Sequence, residues 1–231
     1  MANSMKEVIL ENVASPELLR LSCFIDEQFD CMCSLCEFLE EAIRKEVKRR
    51  HAWVRRQRNN YEGEEEQALN SVSIDDSLFE VKRDFPRIVR YSLMVSMMSA
   101  TEACLVRLCR VARRRLEIRD EFNDKGSNVI QRALKYLEEK GGLDISRMRY
   151  YLELADSLRN LRNAITHSEG CTKGRKEESD ILIFAESGTG VEIDKRSNII
   201  LSDRFVLNNT RGMKRLLVQL YEKLKKQVAR K

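Results

Sequence analysis

The chain has 231 residues, of which 42 are Lys or Arg and 37 are Asp or Glu, giving a formal net charge of +5. Apolar residues make up 42% and charged residues 34%, enough oil for a core and too much for a disordered chain. With 2 prolines and 9 glycines it lacks the turn residues that a β-sandwich, a barrel or a Gly-rich nucleotide fold requires, so a single all-α domain over residues 1–231 is expected.

Ser15 is placed to cap a first helix, and Pro16 suits its first position, where a missing N–H costs nothing. Leu18, Leu21, Ile25, Phe29, Met32, Cys36, Leu39 and Ile43 recur at helical spacing, and the helix is expected to run into the basic stretch 45–58. Residues 61–77 are acidic and polar without a strong period, and 59–79 reads as a mobile linker. A second helix is predicted from about Pro86 to Arg119, apolar nearly all round from Tyr91 to Ala112, as in a helix at the centre of a bundle. A third, from about Ser127, presents Val129, Ile130, Ala133, Leu134 and Leu137 and stops at Gly141-Gly142. A fourth begins after Asp144 or Ser146, carries Met148, Tyr151, Leu152, Ala155, Leu158 and Ile165, and ends near His167–Gly170. After a polar loop at 171–179 the period changes. Residues 180–185, 191–193 and 199–201 read as short strands with a turn over 187–190, a small β-hairpin or three-stranded flap inserted at 180–201. Met213, Leu216, Leu217, Leu220, Tyr221, Leu224 and Val228 mark a C-terminal helix.

The longest uncharged run, 91–101, is shorter than the roughly 18–20 apolar residues that span a bilayer, and the N-terminus has no apolar signal segment. A cytoplasmic protein without a membrane partner is therefore expected, its seven cysteines reduced. Cys31, Cys33 and Cys36 sit in a helical pattern with no second ligand pair, so no metal site and no cofactor are expected. Walker, Rossmann and nucleophile-elbow motifs are absent. Two clusters of positive charge could attract a polyanion. One lies at 45–58, with Arg49, Arg50, Arg55 and Arg56 around Trp53. The other comprises Arg107, Arg110, Arg113, Arg114, Arg115 and Arg119. For each, a solvated helix face is the plainer reading. Trp53 and Tyr150 could stack on a base, though a core or rim role suits both better.

At about 100° per residue, Arg162 falls in the middle of the fourth helix's apolar stripe, between Ala155, Leu158 and Ile165. A guanidinium there is costly unless it is paired or faces a cleft or interface. Glu102, in the most apolar helix, is the natural candidate partner. His167 follows at the helix end and is the one general acid–base candidate in company that suggests chemistry. A histidine favoured there by the helix dipole is the plainer alternative.

Arg162-Asn163-x-x-x-His167 resembles the R-N-x-x-x-H motif of the HEPN family (higher eukaryotes and prokaryotes nucleotide-binding), a helical bundle with the motif late in the chain and one more helix after it. The likeness covers about residues 83–231 and extends to the first helix. It implies an HEPN-like bundle that works as a homodimer, with two motifs forming one composite, metal-independent endoribonuclease site. His167 would be the general acid–base, Arg162 would hold the scissile phosphate, and Asn163 would bind phosphate or orient His167. Cleavage would leave 2′,3′-cyclic phosphate and 5′-OH ends. Some members add, on an earlier helix, a Glu followed after three residues by Lys or Arg. Here Val106 stands in that place and Arg107 one further on, so Glu102 is a secondary site residue. Arg159-Asn160 repeats the Arg-Asn pair one turn earlier. Its spacing to His167 is longer than the motif's, which leaves Arg159 a secondary phosphate contact. The resemblance further implies RNA as substrate, a toxin or anti-phage defence role, and an inhibitor or activator protein as partner. The alternative is a non-catalytic HEPN-like dimer serving as a nucleotide-binding or protein-interaction module.

Overall fold

A computed structural model describes residues 15–58, 78–126 and 128–230. Six helices, α1 (Pro16–Arg58), α2 (Phe85–Arg115), α3 (Val129–Glu139), α4 (Arg149–Ser168), α5 (Glu178–Glu186) and α6 (Phe205–Ala229), account for most of it. A two-stranded antiparallel hairpin, β1 (Val191–Ile193) and β2 (Ile199–Leu201), precedes α6. The all-α expectation with a small hairpin before the last helix holds.

The helix ends follow from local chemistry. The Leu18 N–H donates to Ser15 Oγ at 3.4 Å and the Leu19 N–H to the Ser15 carbonyl at 3.0 Å, so Ser15 caps α1. The helix then continues through the basic stretch to Arg58. Of the expected linker, residues 59–77 lie outside the described residues, while Leu78 and Phe79 are already helical. A π-helical turn, Glu80–Asp84, leads into α2. Pro86 has no N–H and its ring crowds the carbonyl four residues back, and the widened turn just before it accommodates both. α2 stops at Arg115 rather than Arg119. Glu117 takes a left-handed φ of 53°, and the Ile118 N–H bonds the Arg113 carbonyl at 2.9 Å, a Schellman ending built without glycine. Ser127, the expected start of α3, lies outside the described residues. Asn128 is the cap, its side chain accepting from the Gln131 N–H at 3.4 Å.

The backbone divides into two compact units, Met1–Cys31 with Met97–Arg159 and Asn209–Lys231, and Met32–Ser96 with Asn160–Asn208. The first is built on Phe29, Leu105, Leu108, Leu137, Leu158 and Leu220, all fully buried. Lys214 fastens α6 to α1 through Asp26 (2.9 Å) and Asp30 (2.7 Å). Gln131 joins α3 to α4 through Asp156 at 2.7 Å.

In the second unit Arg90 of α2 forks onto Glu40 of α1, with Nε at 2.7 Å and Nη2 at 2.9 Å from its two oxygens, and gives Nη1 to the Leu201 carbonyl at 2.8 Å. One guanidinium thus joins two helices to β2. The strands pair Val191 with Leu201, Glu192 with Ile200 and Ile193 with Ile199. Their turn is 194–198, organised by Asp194 Oδ1, which accepts from the Arg196 and Asn198 N–H groups at 2.8 Å each.

Two expectations need correction. Residues 180–185 are not a strand but part of α5, and Ser187–Gly190 joins α5 to β1 rather than closing the hairpin. A short apolar run does not declare its period. With β1 and β2 already paired to each other, this segment satisfies its own backbone by coiling. The uncharged run 91–101 also understates α2. With the π-helical turn it forms a 36-residue stretch, Glu80–Arg115, long and apolar enough to cross a membrane by length and composition, with 50% of its most apolar window buried in the protein. That burial is the mark of a core helix.

Candidate functional site

The last turns of α4 hold Arg162, Asn163 and His167 in the second unit. Leu161 and Ala164 are fully buried and extend the buried face away from Arg162. Arg162 therefore lies at the border of that face, half-buried, and not in its middle as expected. Asn163 is half-buried and His167 is exposed. At about 100° per residue Asn163 and His167 share a ridge of the helix, whereas Arg162 is turned about 140° from His167.

The end of this helix is firmly anchored. Glu169 and Gly170 turn left-handed at φ 51° and 86°, and the Gly170 N–H closes on the Ala164 carbonyl at 3.0 Å. The Ile199 N–H of β2 donates to the Gly170 carbonyl at 2.9 Å, and Thr172 N–H donates to Ser197 at 2.8 Å. The Tyr91 hydroxyl donates to the Ile199 carbonyl at 2.5 Å, and burial pushes its phenol up to about 12. A Cβ at Gly170 would run into the Tyr91 ring, so only glycine fits there. The hairpin thus holds the chain three residues beyond His167. Arg175 Nη1 donates to Ser168 Oγ and its Nη2 lies 3.5 Å from Glu177, which brings a second guanidinium to the His167 end of α4. Asn160, buried two residues before Arg162, donates to Asp180 of α5 at 3.4 Å, and among the described residues its Oδ1 accepts nothing. Arg175 and the Asn160–Asp180 contact were not foreseen. Both use polar residues in or after a loop, where no periodicity marks them.

Of the secondary candidates, Glu102 is half-buried on α2 and Arg159 lies 3.6 Å from Asp156; both belong to the first unit. On α1, Arg49 is held by Glu46 through two 2.7 Å bonds, and Arg50 lies over the Trp53 ring at 5.7 Å from its centre. Arg55 and Arg56 are exposed. Three of the six arginines of the second basic cluster are ion-paired, Arg110 with Asp124 at 2.8 Å, Arg113 with Glu121 at 2.9 Å and Arg114 with Glu17, while Arg107 covers the Phe24 ring and Arg115 and Arg119 are exposed. Among the described residues no group of three His, Cys, Asp or Glu side chains could hold a metal ion.

Chemically, this helix end offers a solvent-reached imidazole, a carboxamide on its ridge and guanidinium groups nearby, a set able to move a proton and to hold an anion. No family model, curated protein or solved structure matches the chain.

Proposed function

We infer that this chain is a metal-independent endoribonuclease of HEPN type, active as a homodimer and serving as a toxin or anti-phage defence effector in the cytoplasm under the control of an inhibitor or activator protein. The observation that carries the reading is the end of α4, where His167 is exposed beside Asn163 within one turn and a half of Arg162. His167 takes the proton of the ribose 2′-OH as that oxygen attacks phosphorus in line. The P–O5′ bond breaks and the leaving oxygen is protonated from solvent. The products end in 2′,3′-cyclic phosphate and 5′-OH. Arg162 binds the phosphate oxygens as charge builds on them, and Asn163, on the ridge of His167, holds the imidazole in orientation.

The helix geometry favours a composite site. Arg162 and His167 of one chain are about 7.5 Å apart along the axis and turned about 140°, so they address different sides of α4. A second copy lets the arginine of one chain meet the histidine of the other. An uncharged exposed face on the same unit suits such a copy: Phe85 and Ile88 are 50% and 59% exposed, with Ser92 and Ser96 following on the same ridge.

The test is cleavage of total RNA and tRNA in EDTA by wild type, His167→Ala and Arg162→Ala. Wild type is expected to cut and leave cyclic-phosphate ends, and each variant to lose about 100-fold or more, the scale of a general acid–base or an oxyanion-stabilising group. Equal cutting by all three proteins would remove the assignment. A folded, dimeric wild type that never cuts would leave the non-catalytic binding module.

A further inference from the structure

The second unit contains a cleft of about 220 Å³ between the start of α2 and the hairpin, lined by Lys82, Arg83, Arg87, Arg90, Asp194 and Asn198 with apolar walls from Pro86 and β2. Its four cations are differently occupied. Arg90 is saturated by Glu40 and the Leu201 carbonyl. Arg83 is bound to Asp194 at 2.9 Å. Among the described residues Arg87 has only Asp84, at 3.7 Å, beyond hydrogen-bonding length, and its buried Nε finds no acceptor. Lys82 is exposed and has no ion pair among the described residues. Arg87 also lies close enough to the Tyr91 phenol for its charge to oppose the effect of burial there. The one carboxylate that lines the cleft among the described residues, Asp194, is engaged by Arg83 and by the Asn198 side chain at 3.2 Å.

A guanidinium with a desolvated, unanswered donor beside an unpaired ammonium in a concave site calls for an anion. The cleft is smaller than the roughly 300–1,000 Å³ of pockets that enclose a whole small molecule. It fits a single anionic group. A tetrahedral anion offers several oxygens out of one plane, so a fork and a point charge approaching from different residues can both be met. In the larger cleft of the first unit, about 540 Å³, Arg110, Arg113 and Arg114 are each already paired, which leaves Lys125 as the one lining cation without an ion pair among the described residues and no open guanidinium beside it.

We propose that the cleft at Lys82 and Arg87 is a phosphate-binding site, taking either the phosphomonoester of a free nucleotide or a phosphodiester of a polynucleotide. It is separate from the α4 motif and stands whether or not His167 is catalytic. The experiment is calorimetric titration of the full chain with inorganic phosphate, AMP and a short single-stranded RNA at low and moderate salt. Wild type is expected to bind saturably. Lys82→Gln and Arg87→Gln are each expected to weaken binding about tenfold or more, while Arg87→Lys retains part of it. Asp194→Asn is expected to tighten binding, because it releases Arg83 while its Oδ1 still accepts the turn N–H groups. Tighter binding of AMP than of RNA identifies the free nucleotide. Tighter binding of RNA, with a steep salt dependence, identifies the polynucleotide. No saturable binding of any of the three by wild type overturns the proposal. So does unchanged affinity in a Lys82→Gln/Arg87→Gln variant whose circular dichroism matches wild type.

Discussion

Asp194 shows how much one side chain can organise. Its carboxylate closes the hairpin turn and restrains Arg83. The Asn198 N–H is the largest influence holding its pKa below the usual carboxylate value, with the Asn198 side chain, the Arg196 N–H and Arg83 adding to it against burial. A carboxyl whose folded pKa is depressed contributes stability that is fully present above the unfolded value of about 3.9 and is lost as pH falls through the folded one. Wild type is therefore expected to resist urea better than Asp194→Asn at pH 7, with the difference shrinking as pH drops below about 4. Urea midpoints measured from pH 7 to pH 2.5 check this. A gap that stays constant would show that Asp194 acts through shape and not through charge. Arg90 works on the same scale with its geometry nearly buried: Glu40 and Arg90 retain 12% and 16% side-chain exposure. Such a pair is costly to break on one side only.

Among the elements, those with a long amphipathic period were legible in the sequence and those without one were not. Leu18 through Ile43, Ile130 through Leu137 and Met213 through Leu224 announce α1, α3 and α6 because a repeated three-to-four spacing has one reading. Capping sharpened the start of α1 at Ser15. The α5 segment offered only Ile181, Leu182, Ile183, Phe184 and Ala185 between polar residues, and that run suits either period. The two forms differ in a measurable way. Alternation would bury Ile181 and Ile183 together, whereas the helix buries Ile181 and leaves Ile183 66% exposed. Ile181→Ala is expected to lower stability by about 2–4 kcal/mol and Ile183→Ala by less than about 0.5 kcal/mol. Equal losses in a denaturant titration would restore the strand. The candidate sites divide in the same way. Arg162, Asn163 and His167 stand on one helix, so spacing alone groups them. The Lys82–Arg87 cleft draws on residues as far apart as Arg83 and Asp194, separated by 111 positions, and only the fold brings them together.

At the scale of the whole molecule, the proposed catalysis depends on a second copy, and that dependence can be separated from the identity of the site residues. If the arginine of one chain serves the histidine of the other, Arg162→Ala and His167→Ala homodimers each lack every working pair. A heterodimer of the two keeps one: the His167 of the first variant opposite the Arg162 of the second. Random reassociation of an equal mixture makes half the dimers mixed, each with one of two pairings intact, so about a quarter of wild-type activity is expected to return. Cleavage of tRNA in EDTA after the two inactive variants are unfolded and refolded together measures it. Ile88→Glu, which sets like charges opposite each other on the exposed face of α2, is expected to yield monomers by light scattering and to abolish the recovery. Persistent inactivity of a mixture shown to contain heterodimers would mean that each chain needs both of its own residues. The composite arrangement would then give way to a site built within one copy.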